Sequence, residues 1–165
     1  MMENKAADFL SRRRIMSVAT LRPDGWPQNT MVGYANDELL IYFLISRRSQ
    51  KLANILRDDR VSIAIGEAFD DPHAVTGLSL AARASEVTDG AQRKHACELL
   101  WARHPEFRTF QKPDLAKAAV MRAYPEVITI LDYSEGFGHA DLVTVGAGGA
   151  EMEAAQPDDW GLSPM

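Results

Sequence analysis

The chain has 165 residues, 46% of them apolar and 25% charged, which suits one domain able to bury a core of its own. Eighteen Lys and Arg against 23 Asp and Glu leave a net charge of −5, which argues against a broad phosphate-neutralising nucleic-acid surface. No apolar run approaches the roughly 20 residues of a membrane helix. The first residues carry no hydrophobic signal segment. The single cysteine, Cys97, permits no internal disulfide, so a cytoplasmic protein without nucleic-acid or membrane partners is expected.

Residues from about Glu3 to Ser11 suit a short opening helix with Ala6, Phe9 and Leu10 on one side. Met16 to Leu21 reads as a strand, Asp24-Gly25 as a hairpin turn, and Gln28 to Tyr34 as the returning strand. Asn36-Asp37 marks a second turn, after which Leu39 to Ile45 forms a nearly continuous apolar strand. Leu52, Ile55 and Leu56 then share one face of a helix whose start Ser46 or Ser49 can cap. Val61 to Ile65 reads as a fourth strand, and Ala74 to Val87 as a longer one with a bulge or bend near Gly77. Asp89 to Arg103 has helical periodicity, with Ala96, Leu99 and Leu100 in one stripe, and His104-Pro105 ends it. Ala118 to Tyr124 and Val127 to Leu131 read as two last strands separated by Pro125-Glu126. Strands outnumber helices without strict alternation, so the expected class is mainly β, a Greek-key-like antiparallel barrel with helical insertions. Residues 1–145 form that domain, and 146–165 an acidic, glycine-rich tail in which Trp160 and Leu162 are the apolar residues able to dock.

The segment from Leu44 to Lys51 carries the most chemistry. An apolar strand runs into a helix start bearing Ser46, Arg47, Arg48, Ser49 and Lys51. Unpaired amides and the dipole at a helix N-terminus favour an anion. Serine hydroxyls add donors, lysine a compact charge and arginine a bidentate fork, which together suit a phosphate monoester. The alternative is an exposed basic helix cap with no ligand.

The run from Met16 to Gln28, the apolar strand, Ser49-Gln50-Lys51 and the run from Asn54 to Val61 together resemble the flavin split-barrel proteins of the pyridoxamine 5'-phosphate oxidase-like family. Pro125-Glu126-Val127-Ile128 and Gly136-Phe137-Gly138-His139 are similar to the closing strand and loop of one subgroup, and the likeness spans about Phe9 to Val145. It implies a split barrel that binds flavin mononucleotide (FMN), with Ser49 and Lys51 at the phosphate, Gln50 between them, and Arg48 or Arg47 assisting. Asn29, Thr30, Met31 and Val32 would then lie along the ribityl chain and ring. Leu44, Ile45 and Ser46 would lie by the dimethylbenzene edge and phosphate. The family commonly builds this site between two subunits, which implies a homodimer, with the 72–76 region and Gly136 to His139 as contributions across the interface. His139 or the amides of residues 29–32 would face the flavin pyrimidine edge.

Two matched positions depart from the vitamin-oxidising enzyme: Asn29 stands where it has an arginine, and Gln50 where its central phosphate-binding arginine stands. The acidic tail also lacks that enzyme's tryptophan and basic substrate signature. The resemblance is therefore closer to stress-protein-like or flavin reductase-like relatives. Its expected function is a flavin-dependent oxidoreductase acting on a small molecule. Alternatives of other kinds are a non-catalytic flavin-binding, storage or stress-related protein, and a member holding deazaflavin or haem. None of the four histidines, His73, His95, His104 and His139, lies at metal-pair spacing with another His or Cys, so no metal site is expected. Cys97 reads as a packing residue without a partner base. Gly136-Phe137-Gly138-His139 lacks the third glycine and following helix of a dinucleotide fingerprint.

Overall fold

Alternation along the first strand sets the architecture. In β1 (Ile15–Leu21) Met16, Val18 and Thr20 are buried while Ser17 and Ala19 face outward, so one face of the strand encloses a core and the other carries small side chains at its centre. The computed structural model describes residues 2–67, 69–110, 112–146 and 149–153. Helix α1 (Met2–Ser11) precedes β1, and β2 (Pro27–Asp37), β3 (Leu40–Ser46), α2 (Gln50–Arg57), β4 (Arg60–Gly66) and β5 (Thr76–Glu86) follow. Then come α3 (Gly90–Arg103), β6 (Ala118–Asp132), β7 (Ala140–Gly146) and β8 (Gly149–Glu153). No helix among the described residues is long and apolar enough to cross a membrane.

The six strands β1 to β6 close on themselves in the order β1-β2-β3-β6-β5-β4 and back to β1, every pairing antiparallel, while β7 and β8 extend the sheet outward from β6. This is the mainly β barrel with helical insertions that the sequence predicts. Its interior is filled by Met16, Tyr34, Ile41, Phe43, Ile63, Leu80, Met121, Ile128 and Ile130, all essentially inaccessible. A second apolar cluster lies outside the barrel wall, where Ala96 and Leu100 of α3 cover Ala35, Tyr42 and Val120.

The two ends of the barrel are closed by different helices. Ala6 and Leu10 of α1 enter the core at one end, where the Tyr34 hydroxyl donates to the Leu10 carbonyl at 2.8 Å. At the other, α2 carries the chain from β3 to β4, two strands that are not neighbours, and buries Leu52 and Ile55. Each of those two side chains contributes about 1.5–3 kcal/mol of burial.

Several expectations change. Asn36 and Asp37 remain in β2, and the turn falls one step later, where Glu38 takes a left-handed φ of 51° and the Asn36 amide donates to its carbonyl at 2.7 Å. Leu56 is 72% exposed, and Asn54 takes the buried place instead. The two strands expected around Pro125-Glu126 are one strand of 15 residues. Its first part pairs with β3, its last part with β7, and β5 runs along the other edge. The bulge lies at this change of partner, opposite Ala81 and Ala82, rather than near Gly77. Leu99 is only partly buried in the α3 stripe. Part of the expected tail is β8, paired with β7 from Leu142–Glu153 to Gly146–Gly149; the rest of it, with Trp160 and Leu162, lies outside the described residues.

Candidate functional site

The barrel wall is incomplete between β2 and β3. Tyr34 to Asp37 pair with Leu40 to Phe43, but Pro27 to Gly33 pair with β1 alone. The Tyr34 N–H donates to the Arg14 carbonyl at 2.9 Å. Alternation along an antiparallel pair then turns the amides of Gln28, Thr30 and Val32 toward β1 and those of Asn29, Met31 and Gly33 toward the split. The strand therefore offers a short row of hydrogen-bonding backbone groups to whatever occupies the gap.

At the lower lip of the split, β3 gives way to α2 through a tightly bonded turn. Ser49 caps the helix: its Oγ accepts from the Leu52 N–H at 3.2 Å and donates to the Ser46 carbonyl at 2.7 Å. The Ser46 Oγ in turn accepts from the Arg48 N–H at 3.2 Å. Arg47 points away and forks onto the Glu86 carboxylate, with its Nε donating to the Leu115 carbonyl at 2.7 Å. Its assistance at a phosphate is therefore spent within the chain. Arg48 is exposed and Lys51 half-buried, and among the described residues neither side chain has an ion-pair or hydrogen-bond partner. Burial lowers the Lys51 pKa from its ordinary 10.5. A desolvated cation facing no carboxylate is an arrangement that an incoming anion would relieve.

Behind this turn is a small buried polar cluster. Asn54, fully inaccessible, donates to Thr20 Oγ1 at 3.0 Å and Gln28 Oε1 at 3.2 Å, and accepts from Gln50 Nε2 at 2.8 Å. These bonds tie the start of α2 to β1 and β2, so the helix N-terminus and the open strand edge are held in one frame. The Thr30 Oγ1 nearby is buried without a hydrogen-bond partner.

The predicted residues divide by the pleat. Asn29 and Met31 face outward, Met31 being 67% exposed and Asn29 accepting from Ser17 Oγ at 2.7 Å. Thr30 and Val32 turn inward, Val32 against the core. Leu44 packs against the α3 cluster and Ile45 enters the barrel, so those two present backbone rather than side chain to the split. Gln50 is engaged with Asn54. On the outer side of β1, β2 and β4 lies a depression of about 270 Å³ lined by Ala19, Leu21, Pro27, Arg60 and Ser62, with Trp26, next to Pro27 in the chain, 71% exposed.

His139 lies elsewhere in the chain. Its carbonyl accepts from the Asp132 N–H at 3.1 Å, at the far end of β6 from Ala118, which pairs with Ser46. Within one chain it does not join the Lys51 site. The 3-10 turn Pro72–Ala74 lies at that same far end, where Thr76 pairs with Asp132. Sequence reading missed Asn54, whose signal was the polar pair Gln50 and Asn54 at i, i+4 spacing.

Residues 2–132 match the family described as Pyridoxamine 5'-phosphate oxidase. A comparison with curated protein sequences finds no significant match. Among solved structures, a conserved hypothetical protein from Mycobacterium tuberculosis is similar with a TM-score of 0.72 and 26% identity, over 84% of this chain and 90% of that one. A heme binding protein from Mycobacterium smegmatis is similar at TM-score 0.70 and 21% identity, over 86% of this chain and 56% of that one. An FAD-binding protein from Mesorhizobium loti has TM-score 0.60 and 19% identity, over 77% of this chain and 88% of that one. The closed six-stranded barrel, the split beside β2 and the sequence match agree, and the chain belongs to the pyridoxamine 5'-phosphate oxidase family.

Proposed function

We infer that this protein binds FMN and acts as a flavin-dependent oxidoreductase on a small molecule. The observation that carries the reading is the half-buried Lys51 with no acidic partner among the described residues, beside an equally free Arg48 at the start of α2. Two free cations and a helix N-terminus suit the charge of a phosphate monoester. The family membership supports a flavin as the ligand.

In this reading Arg48 and Lys51 hold the phosphate, and Ser46 contributes its hydroxyl. Ser49 and Gln50 shape the turn. The open edge of β2 would hold the ring, with the split-facing amides of Asn29 and Met31 as donors and the backbone of Leu44 and Ile45 as the facing wall. Bound flavin supplies the hydride or electron transfer, and the chain contributes orientation, hydrogen-bond donors and exclusion of water. A second copy of the chain, docked on the thin outer face around Trp26 and Met31, completes the site as a homodimer.

The first test is the visible absorption of the purified protein, with mass identification of what denaturation releases. Release of FMN, and bleaching by a reduced nicotinamide faster than free flavin, support the reading; a Soret band with haem released replaces it. FAD or a deazaflavin would keep the split and change the ligand. Lys51→Ala is expected to weaken FMN binding about 10- to 100-fold, the worth of one charge-assisted hydrogen bond. Unchanged affinity in that variant removes the phosphate assignment.

A further inference from the structure

At the opposite end of β6 from the Lys51 turn, three polar side chains converge and leave two buried atoms without a hydrogen bond. The loop between β6 and β7 turns through Gly136 and Gly138, whose φ values of 148° and 82° disfavour side chains, and so folds His139 back over Glu135. The His139 Nε2 lies 3.2 Å from Asp141 Oδ1 and 3.5 Å from Glu135 Oε2. Both contacts are at ion-pair distance, yet Nε2, which is buried, makes no aligned hydrogen bond to either carboxylate. Asp141 is only 7% exposed, and its Oδ2 is likewise buried with no hydrogen-bond partner. His139 Nε2 and Asp141 Oδ1 stand at ion-pair distance, and Asp141 Oδ2, buried without a hydrogen-bond partner, leaves acceptor capacity unused in the interior.

We propose that Glu135, His139 and Asp141 form a binding site for a divalent transition-metal ion of the zinc type. Nitrogen and oxygen donors at metal bonds of about 2.0–2.2 Å stand about 3.4 Å apart in a tetrahedral site. The two separations of 3.2 and 3.5 Å bracket that edge, and all three donor atoms lie within 4.8 Å of one another. One imidazole and two carboxylates leave a fourth position for water or a ligand, as in open zinc sites. Lys5 supports the arrangement from α1. Its Nζ, 2.9 Å from Glu135 Oε1 and 2.9 Å from Asp132 Oδ2, takes the outer oxygen of Glu135 and leaves Oε2 toward His139. Phe137 packs on Tyr133 with ring centroids 5.2 Å apart, giving the loop an apolar brace. Spacing that counts only His and Cys overlooks this set because two of its three donors are carboxylates.

The test uses the full chain, stripped with a chelator, dialysed and titrated with zinc chloride alone by calorimetry and by thermal melting. The wild type is expected to bind zinc with a concentration-dependent rise in Tm. Asp141→Asn and His139→Gln each lower that affinity at least about tenfold and remove the zinc-dependent rise. Cobalt in place of zinc is expected to give visible bands that His139→Gln abolishes. If Asp141→Asn does not fold, His139→Gln carries the test, its side chain being 22% exposed. A wild type whose melting ignores zinc, or one whose zinc response survives in His139→Gln, overturns the site and leaves a metal-free cluster of imidazole and carboxylates. The flavin reading stands or falls separately, since none of these outcomes involves Lys51.

Discussion

The helices that close the two ends of the barrel meet it with opposite chemistry. At the α1 end the helix presents its C-terminal carbonyls, and donors are already in place. Tyr34 donates to the Leu10 carbonyl at 2.8 Å, while Arg103 reaches the Leu10 carbonyl at 3.2 Å, the Arg13 carbonyl at 2.7 Å and Asn36 Oδ1 at 3.1 Å. A cation on helix-end carbonyls also satisfies the dipole. Nearby, His104 contacts the Tyr34 carbonyl at 3.0 Å and Arg14 forks onto Glu106. At the α2 end the helix presents its N-terminus, where an acid would be the natural complement, yet its first turn holds none. Lys51 and Arg48 stand there instead, adding positive charge to the positive end of the dipole. One end is complementary within the chain; the other, among the described residues, has a surplus of one sign.

That contrast can be broken first at the frame. Asn54→Ala removes a buried amide whose three partners, Thr20, Gln28 and Gln50, are left facing one another across a cavity. Urea denaturation is expected to show a loss of about 2–4 kcal/mol. A loss under about 1 kcal/mol would mean that water replaces the amide and that the α2 end is held by Leu52 and Ile55 alone.

At the other end, Tyr34→Phe removes one donor from a carbonyl that Arg103 still serves, so the expected loss is smaller, about 1–1.5 kcal/mol. Its pH dependence identifies the group. Burial pushes the Tyr34 pKa up to about 12 from an ordinary 10.0. Between those values the folded state keeps a proton that the unfolded chain has released, so stability present below pH 10 falls as pH rises through about 12. The difference between wild type and Tyr34→Phe should shrink over that window. A constant difference would place the hydroxyl in water in the folded protein.

How far the sequence reached depended on the range of the interactions involved. The first hairpin, the apolar β3 and the Ser49 cap rest on neighbours within a few residues, and turn chemistry and periodicity were enough to read them. The β2–β3 turn missed by one step because Asn36 acts from inside the strand, bonding forward to Glu38. Leu56 and Asn54 exchanged roles because the barrel end over which α2 lies is lined by the polar groups of Thr20 and Gln28, a contact across more than 25 residues. Pro125 reads locally as a break between two strands, yet it marks where β6 trades β3 for β7, a change of partner that no local pattern encodes. The pleat was legible in principle: four consecutive residues from Asn29 to Val32 cannot all face one ligand, and a period of two already separates Asn29 and Met31 from the others. Asp141 and Glu135 gave no signal, since their approach to His139 depends on two glycine conformations in the loop.

The smallest expected effect is the sharpest test of the comparison, because it runs against the usual direction. In the protein without ligand, Lys51→Met keeps the apolar stem and removes a charge that burial disfavours, so it should stabilise, by under about 1 kcal/mol. The sign follows from linkage. Burial holds the folded pKa of Lys51 below its ordinary 10.5, so in the window between the two the unfolded chain binds a proton that the folded chain lacks. Wild-type stability should therefore gain from this group as pH rises toward 10.5, the opposite slope to that of Tyr34, and Lys51→Met should not share the gain. Chemical denaturation of both proteins at neutral and alkaline pH measures it. If Lys51→Met instead destabilises the protein at neutral pH, the ammonium has a structural partner in solution, and the α2 end is a second cap of the α1 kind. If it stabilises the empty protein while weakening FMN binding, the lysine is held at a cost to the fold that only the ligand recovers.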